Sequence, residues 1–404
     1  YPNGFMSLTN SGTITAGTGT LTLTSDDGTF TNSGTITANS LSTFNITSTA
    51  FINNSTANLN SVSTFDIDGD YTHNNASATL TCASGCNASF AEDLTVTQGG
   101  SAFLSGHGTV TFDSATAATI DASDLTFNKV VIDKDGQGLH SERILTISSG
   151  TTIPLGDSPT ITLNNTKSGG GYPNGFMSLT NSGTITAGTG TLTVTADGTF
   201  TNSGTITANS LSTFNMTSGT FTNNSTTSFN GVSTFDIDGD YIHNNASATL
   251  TCASDCNASF AEDLTVTQAG SAFLSGHDTI TFDSPTAATI DASDLTFSKV
   301  VINKSGRGLG GNTLLTISSG TTIPLGNSPT TTLNNTKSGG GEPIGTMDLT
   351  NSGTITVGTG TWTVTADGTF TNSGTITTKG GVLTGSITNS TGSTISFLGD
   401  GDAA

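Results

Sequence analysis

Three groups of residues have types and spacings that could do chemistry. The first is Phe65-Asp66-Ile67-Asp68-Gly69-Asp70, which returns as Phe235 to Asp240. Carboxylates at alternate positions followed by Gly resemble the start of a loop that surrounds one hard cation with oxygen ligands. That makes Ca²⁺ the candidate metal at Asp66, Asp68, Asp70, Asp236, Asp238 and Asp240. The downstream acidic residue that should complete such a loop is missing. The plainer reading is a polar strand face that ends in a turn at Gly69, and both readings stand at this point.

The second group is Cys82-Ala-Ser-Gly-Cys86, repeated as Cys252-Ala-Ser-Asp-Cys256. On a strand the two Cys would lie about 13 Å apart at about 3.3 Å per residue. A disulfide needs Cα atoms within about 7 Å. A bridge therefore forces the three small residues between them into a turn, and local disulfides Cys82–Cys86 and Cys252–Cys256 are expected. A metal site lacks further ligands at finger spacing, and a redox motif would be C-x-x-C.

The third group is histidine. His73 and His107 have counterparts at His243 and His277, whereas His140 aligns with Gly310. A catalytic His needs a positioned partner, and the nearby Asp residues are spread over the whole chain. Solvent-facing or turn positions are expected. A polysaccharide lyase or hydrolase would gather acids with basic residues in a groove, and Arg occurs only at Arg143 and Arg307. No catalytic residue is assigned. The chain reads as a non-enzyme with no cofactor beyond the candidate Ca²⁺.

The elements that must position these groups follow from repetition. The segment from Tyr1 to Gly171 recurs from Tyr172 to Gly341, and a third, partial copy starts at Glu342. The expected domains are residues 1–171, 172–341 and 342–404, the last ending in a divergent cap. Inside each module the string TNSGTIT appears at 9–15, 31–37, 180–186, 201–207, 350–356 and 371–377. Comparable segments begin at Leu8, Phe30, Phe51, Tyr71 and Leu94, a nearly even spacing. Short strands with Gly/Asn turns at a period near 20 are the signature of a coiled β-solenoid.

Alternation supports this. In Gly19-Thr20-Leu21-Thr22-Leu23-Thr24 and Ser63-Thr64-Phe65-Asp66-Ile67-Asp68 every second residue is apolar, which puts Leu21, Leu23, Phe65 and Ile67 on one face. No long 3.6-residue period occurs, so an all-β chain is expected. Residues 125–163 are less regular and read as further rungs with insertions, or as a small sandwich-like insert. Tandem immunoglobulin-like sandwiches are the competing fold, but sandwich strands need not repeat in sequence.

Composition narrows the partners. Thr is roughly a fifth of the chain, apolar residues are 32% and charged residues 10%. Nine basic residues against thirty acidic ones leave a net charge of −21. That excludes phosphate neutralisation, hence nucleic acid, and disfavours an anionic membrane surface. No apolar run is long enough for a membrane span. The chain opens at Tyr1 rather than Met, as a processed chain or a piece of a longer one would.

The TNSGTIT rungs resemble those of bacterial surface proteins: autotransporter passenger domains and filamentous-haemagglutinin-like adhesins. The resemblance covers more than half of the chain through the six strings quoted above and the rungs around them. It implies a right-handed parallel β-helix, secretion or cell-surface display, and a role in adhesion or fibre building. The sequence departs from that pattern in its near-identical super-repeat, its C-x3-C pairs and the lack of a recognisable secretion domain. The expected function is a stiff extracellular rod that self-associates or pairs with neighbouring repeat subunits. The alternative is an adhesin that binds glycans or a cell surface through the irregular loops 133–144 and 303–313, where the copies differ most.

The triplets Thr13-Ile14-Thr15, Thr22-Leu23-Thr24 and Thr35-Ile36-Thr37 resemble the flat Thr arrays of ice-binding solenoids. Such an array needs its ranks on consecutive rungs. After two rungs the pattern changes to Thr43-Phe44-Asn45 and Asp66-Ile67-Asp68, so ordinary β-propensity of Thr is the expected explanation. Ice binding and polysaccharide cleavage remain distant alternatives.

Overall fold

In the computed structural model the chain is all-β and every strand pairing is parallel. The structure describes residues 6–398 except 26, 74, 98–102, 105, 124, 138–141, 167–174, 218, 244, 268–272, 275, 294, 307–311, 328, 335–344, 380–382, 385–386 and 390–393. These residues form a β-solenoid in two compact units, Tyr1–Ala208 and Asn209–Ala404. The unit boundary falls inside the second module and not at its SGGG junction.

In the first unit each turn of the chain lies on the turn before it. Leu8 pairs with Phe30, Phe30 with Phe51, Phe51 with Tyr71 and Tyr71 with Leu94. These are the same positions whose even spacing marks the period in the sequence. Later turns are longer: Leu94 pairs with Ile120, Ile120 with Ile147, and Leu145 with Leu179. The average rung is thus a little longer than the sequence period suggests, because the second half of the module carries insertions between its strands. The sandwich-like reading of residues 125–163 is overturned. Strands Lys129–Gln137, Arg143–Ile147, Thr152–Gly156 and Thr160–Thr166 all join the parallel stack.

Period-2 alternation builds a narrow core. Phe44, Phe65, Phe30 and Phe51 are buried. The Phe30 and Phe51 rings stack at 5.0 Å and those of Phe44 and Phe65 at 5.4 Å. A second column runs Ile46, Ile67, Phe90, Phe112, Ile132, Ile161, Val194 in register. One turn alone could not bury these side chains; stacking like on like does.

The TNSG string makes the corners. Asn10 Nδ2 donates to Asn32 Oδ1 at 2.8 Å, and Asn32 Nδ2 donates to Asn53 Oδ1 at 2.9 Å. The same amides also donate to the carbonyls of Thr35 and Thr56. The ladder lets buried polar side chains satisfy one another where the backbone bends away from the sheet. The Gly after it is obligatory: a Cβ on Gly34 would run into the Gly12 carbonyl oxygen. The second unit repeats the device at Asn351 and Asn372, 2.8 Å apart. There the strand Thr394–Leu398 continues the parallel stack on Thr375–Lys379.

Candidate functional site

The Asp motif sits on strand Thr64–Ile67, and strand geometry decides what it can do. Phe65 and Ile67 point inward. Asp66 therefore faces outward on this strand, and Asp68 is exposed in the bend just past its end. The chain turns at Gly69, where a Cβ would meet the Ser48 carbonyl, and Asp70 opens the next strand, Asp70–His73. Asp68 accepts a hydrogen bond from Thr47 Oγ1 at 2.8 Å, and Asp70 accepts one from the Asp93 backbone N–H.

Partial burial raises the Asp66 carboxyl above the ordinary range, helped by Asp68 and Asp113. Asp70 is raised mainly by burial too; the Asp93 N–H opposes this and the Asp93 charge adds to it. The motif is thus split between two faces. Asp236 and Asp240 repeat the arrangement, with Asp238 and Asp283 beside one and Asp263 beside the other. Among the described residues no three His, Cys, Asp or Glu side chains gather at metal-binding spacing. Asp66, Asp68 and Asp70, and likewise Asp236, Asp238 and Asp240, are not brought together around one point.

Cys82 and Cys86 stand at disulfide distance, with Cα atoms 6.1 Å apart; for Cys252 and Cys256 the separation is 6.2 Å. The turn between them is held by Cys86 N–H donating to Ala83 O and Ala83 N–H to Val62 O. Thiol titration in denaturant should therefore find no free thiol in the untreated chain and four after reduction. The third residue of the turn has a positive φ in both copies, 74° at Gly85 and 61° at Asp255. Left-handed backbone suits Gly and strains other residues. Asp255→Gly should raise stability by about 1 kcal/mol, read as a higher melting temperature, and Gly85→Asp should lower it.

His73, His107, His243 and His277 are neither solvent-facing nor simple turn residues; they are buried parts of hydrogen-bond networks, and His140 lies outside the described residues. His73 is fully buried. Its Nε2–H donates to the Ala78 carbonyl at 3.0 Å, so Nδ1 must accept from the Tyr71 hydroxyl at 3.0 Å. Asn53 hydrogen-bonds the same hydroxyl, so the Asn ladder ends on a Tyr–His pair. Tyr241 and His243 repeat it with Ala248. His107 uses the other tautomer: Nδ1–H donates to Leu104 O and Nε2 accepts from the Asn128 N–H. A His whose two nitrogens are both occupied inside the fold has none left for a substrate.

Sequence reasoning missed Lys134 and Lys304. Both lie at inward strand positions, two residues after Ile132 and Ile302, and both are fully buried. Lys134 Nζ donates to the carbonyls of Ala91 and Asp113, each at 2.8 Å, so it ties its own turn to corners one and two turns back. Lys304 does the same with Ala261 and Asp283. The signal was available: in Val130-Val131-Ile132-Asp133-Lys134, parity puts the Lys with the Val and Ile that face the core. Burial pushes each amine down to about 8, against the opposing pull of Asp113, Glu92 and Asp93 on Lys134 and of Asp283, Glu262 and Asp263 on Lys304.

These burials give stability a sign in pH. Burial lowers His73 and His243 below 6.5, so their contribution is whole above pH 6.5 and is lost as pH falls below it. The lysines act alike at higher pH: their contribution is whole above 10.5 and is lost as pH falls to about 8. Tyr71 and Tyr241 are pushed up by burial and reverse the trend above pH 10, where the unfolded chain ionises first. The raised carboxyls of Asp66, Asp70 and Glu92 add stability at the acid end. The urea midpoint should therefore climb between pH 8 and 10 and drop just below pH 6.5. His73→Asn with His243→Asn should flatten the acid limb, and Lys134→Met with Lys304→Met the alkaline one.

The Thr triplets are placed differently from expectation. Strands Thr13–Thr24 and Thr35–Thr47 are long enough to carry two ranks each. Thr43-Phe44-Asn45 stacks on Thr20-Leu21-Thr22, not on Thr35-Ile36-Thr37. The neighbours of Thr35 and Thr37 are Thr56 and Asn58, and those of Thr56 and Asn58 are Thr79 and Thr81. The ranks do fall on consecutive turns.

In the loops 133–144 and 303–313, residues 138–141 and 307–311 lie outside the described residues. No helix among the described residues is long and apolar enough to cross a membrane. No protein-family model, curated protein or solved structure matches the chain.

Proposed function

We propose that the chain is a structural element of a cell surface or extracellular fibre, extended by adding modules, and that it catalyses no reaction. The observation that supports this is the module junction. In the first unit Leu145, Ile153 and Ile161 pair in register with Leu179, Ile185 and Val194 of the next module. In the second unit Leu315, Ile323 and Thr331 pair with Leu349, Ile355 and Val364. The end of a module is thus built to receive the start of another. The cysteine pairs favour an oxidising compartment and fit an extracellular site.

Electron microscopy of the purified chain at high concentration tests this. Fibres or a lattice are expected; a monomer that never assembles would count against it. A glycan array distinguishes the adhesin reading, which specific sugar binding would favour. Turnover on a panel of polysaccharides would sink the non-enzymatic reading.

A further inference from the structure

We propose a second function, beyond any structural role: one face of the first unit binds ice through a grid of threonine side chains. The grid lies on four consecutive strands, Thr13–Thr24, Thr35–Thr47, Thr56–Leu59 and Thr79–Cys82. Its outward pairs are Thr13 and Thr15, Thr35 and Thr37, Thr56 and Asn58, Thr79 and Thr81, each in register with the next. Seven of the eight are Thr. Between them Ile36, Ala57 and Leu80 are buried, which fixes the pairs to the outside.

The spacing is what selects the ligand. Neighbouring strands lie about 4.8 Å apart and alternate residues along a strand about 6.7 Å apart. A side chain at every node of that lattice presents a two-dimensional array whose repeats lie near those of oxygen on the prism face of hexagonal ice. Thr is stiff at χ1, so the array is held before it binds. A soluble sugar or a peptide has no matching repeat in both directions.

Two further observations point the same way. Among the described residues the hydroxyls of Thr13, Thr15, Thr35, Thr37, Thr56 and Thr79 make no hydrogen bond to the protein, and only Thr81 bonds within the grid, to Asn58. They are left to order water, and bridging waters can carry an interface. The grid is also free of charge in a chain of net charge −21: no Asp, Glu, Lys or Arg occurs from Gly28 to Phe65 or from Tyr71 to Ala91. Charged groups hold hydration shells that do not fit an ice lattice.

The test is partition of the full chain into a slowly growing ice hemisphere, with crystal shape followed by microscopy. The wild type should be enriched in the ice relative to a non-binding protein of similar mass, and should facet the crystals. Because the second module repeats these strands, Thr37→Lys at the grid centre is combined with Thr207→Lys at the equivalent position, and the double variant should fall to the level of the non-binding protein. Thr56→Lys with Thr226→Lys repeats the test should the first double variant fail to fold, as judged by circular dichroism. Thr111→Lys, on a different outward column beside Ser89, should partition like the wild type. Exclusion of the wild type from ice would overturn the proposal. So would wild-type partition of both grid variants, equal loss in Thr111→Lys, or retention on crystalline cellulose or chitin without retention in ice.

Discussion

Replacing Phe65 by Ala should lower stability by about 3–5 kcal/mol, the range for a large aromatic removed from a closed core. Phe65 is fully buried. Its ring lies 5.4 Å from Phe44 with an interplanar angle of 3°, and 6.3 Å from Phe90. The turns above and below are held by backbone ladders, Phe44 to Phe65 and Phe65 to Ala88, so they cannot close on the void. Energetics in a solenoid are local, so hydrogen exchange should show the turns around residues 44–90 opening first. Thr111→Ala, a surface change, should stay within about 0.5 kcal/mol of wild type. A urea midpoint for Phe65→Ala that matches Thr111→Ala would mean that stacked Phe columns contribute little.

Asn32→Leu keeps the volume and removes the polar links. Three partners lose a hydrogen bond: the Asn10 amide, the Asn53 carbonyl oxygen and the Thr56 carbonyl. A buried group left without a partner costs about 1–3 kcal/mol; the Asn10 amide keeps its bond to the Thr35 carbonyl, so the other two groups set an expected loss of about 2–6 kcal/mol. Asn10→Leu also removes three links, to Asn32 Oδ1, the Thr35 carbonyl and the Gly12 N–H, but Gly12 is exposed and water can replace its bond, so the cost should be smaller. Equilibrium unfolding in urea compares the two. If Asn32→Leu were neutral, the corner would be held by packing and the ladder would be incidental. Together with Phe65→Ala this separates apolar stacking from polar stacking in one fold.

Much of the fold was legible because its rules are local. Alternate residues on a strand face opposite ways, so Phe65 and Ile67 could be assigned inward and Asp66 and Asp68 outward from the sequence alone. The repeated TNSGTIT string marked the corners, and the even spacing of Leu8, Phe30, Phe51, Tyr71 and Leu94 matched their observed register. The need for a tight turn at Cys82-Ala-Ser-Gly-Cys86 followed from the reach of a strand, and the two sulfurs do meet across one.

What failed to show in the sequence was whatever depends on which turn lies next to which. Lys134 obeys the local parity rule, but its carbonyl partners at Ala91 and Asp113 belong to earlier turns, far back along the chain. The same holds for His73, which reads as a loop polar residue until Tyr71 and Ala78 close around it. The Asp motif looked like one site along the chain, yet the corner at Gly69 sends Asp70 to another face. The Thr ranks looked broken along the chain because Thr43-Phe44-Asn45 follows Thr35-Ile36-Thr37, yet in space it lies under an earlier rank.

Residue types and their alternation by themselves determined the all-β class, the inward and outward faces, the corners and the repeating turn. Only the tertiary structure decided the columns: the Asn ladder that ends on Tyr71, the lysine ties, and the grid of Thr hydroxyls. The reason is physical. A side chain's direction depends on its own strand, while its neighbours in a stack depend on the length of every loop between one turn and the next.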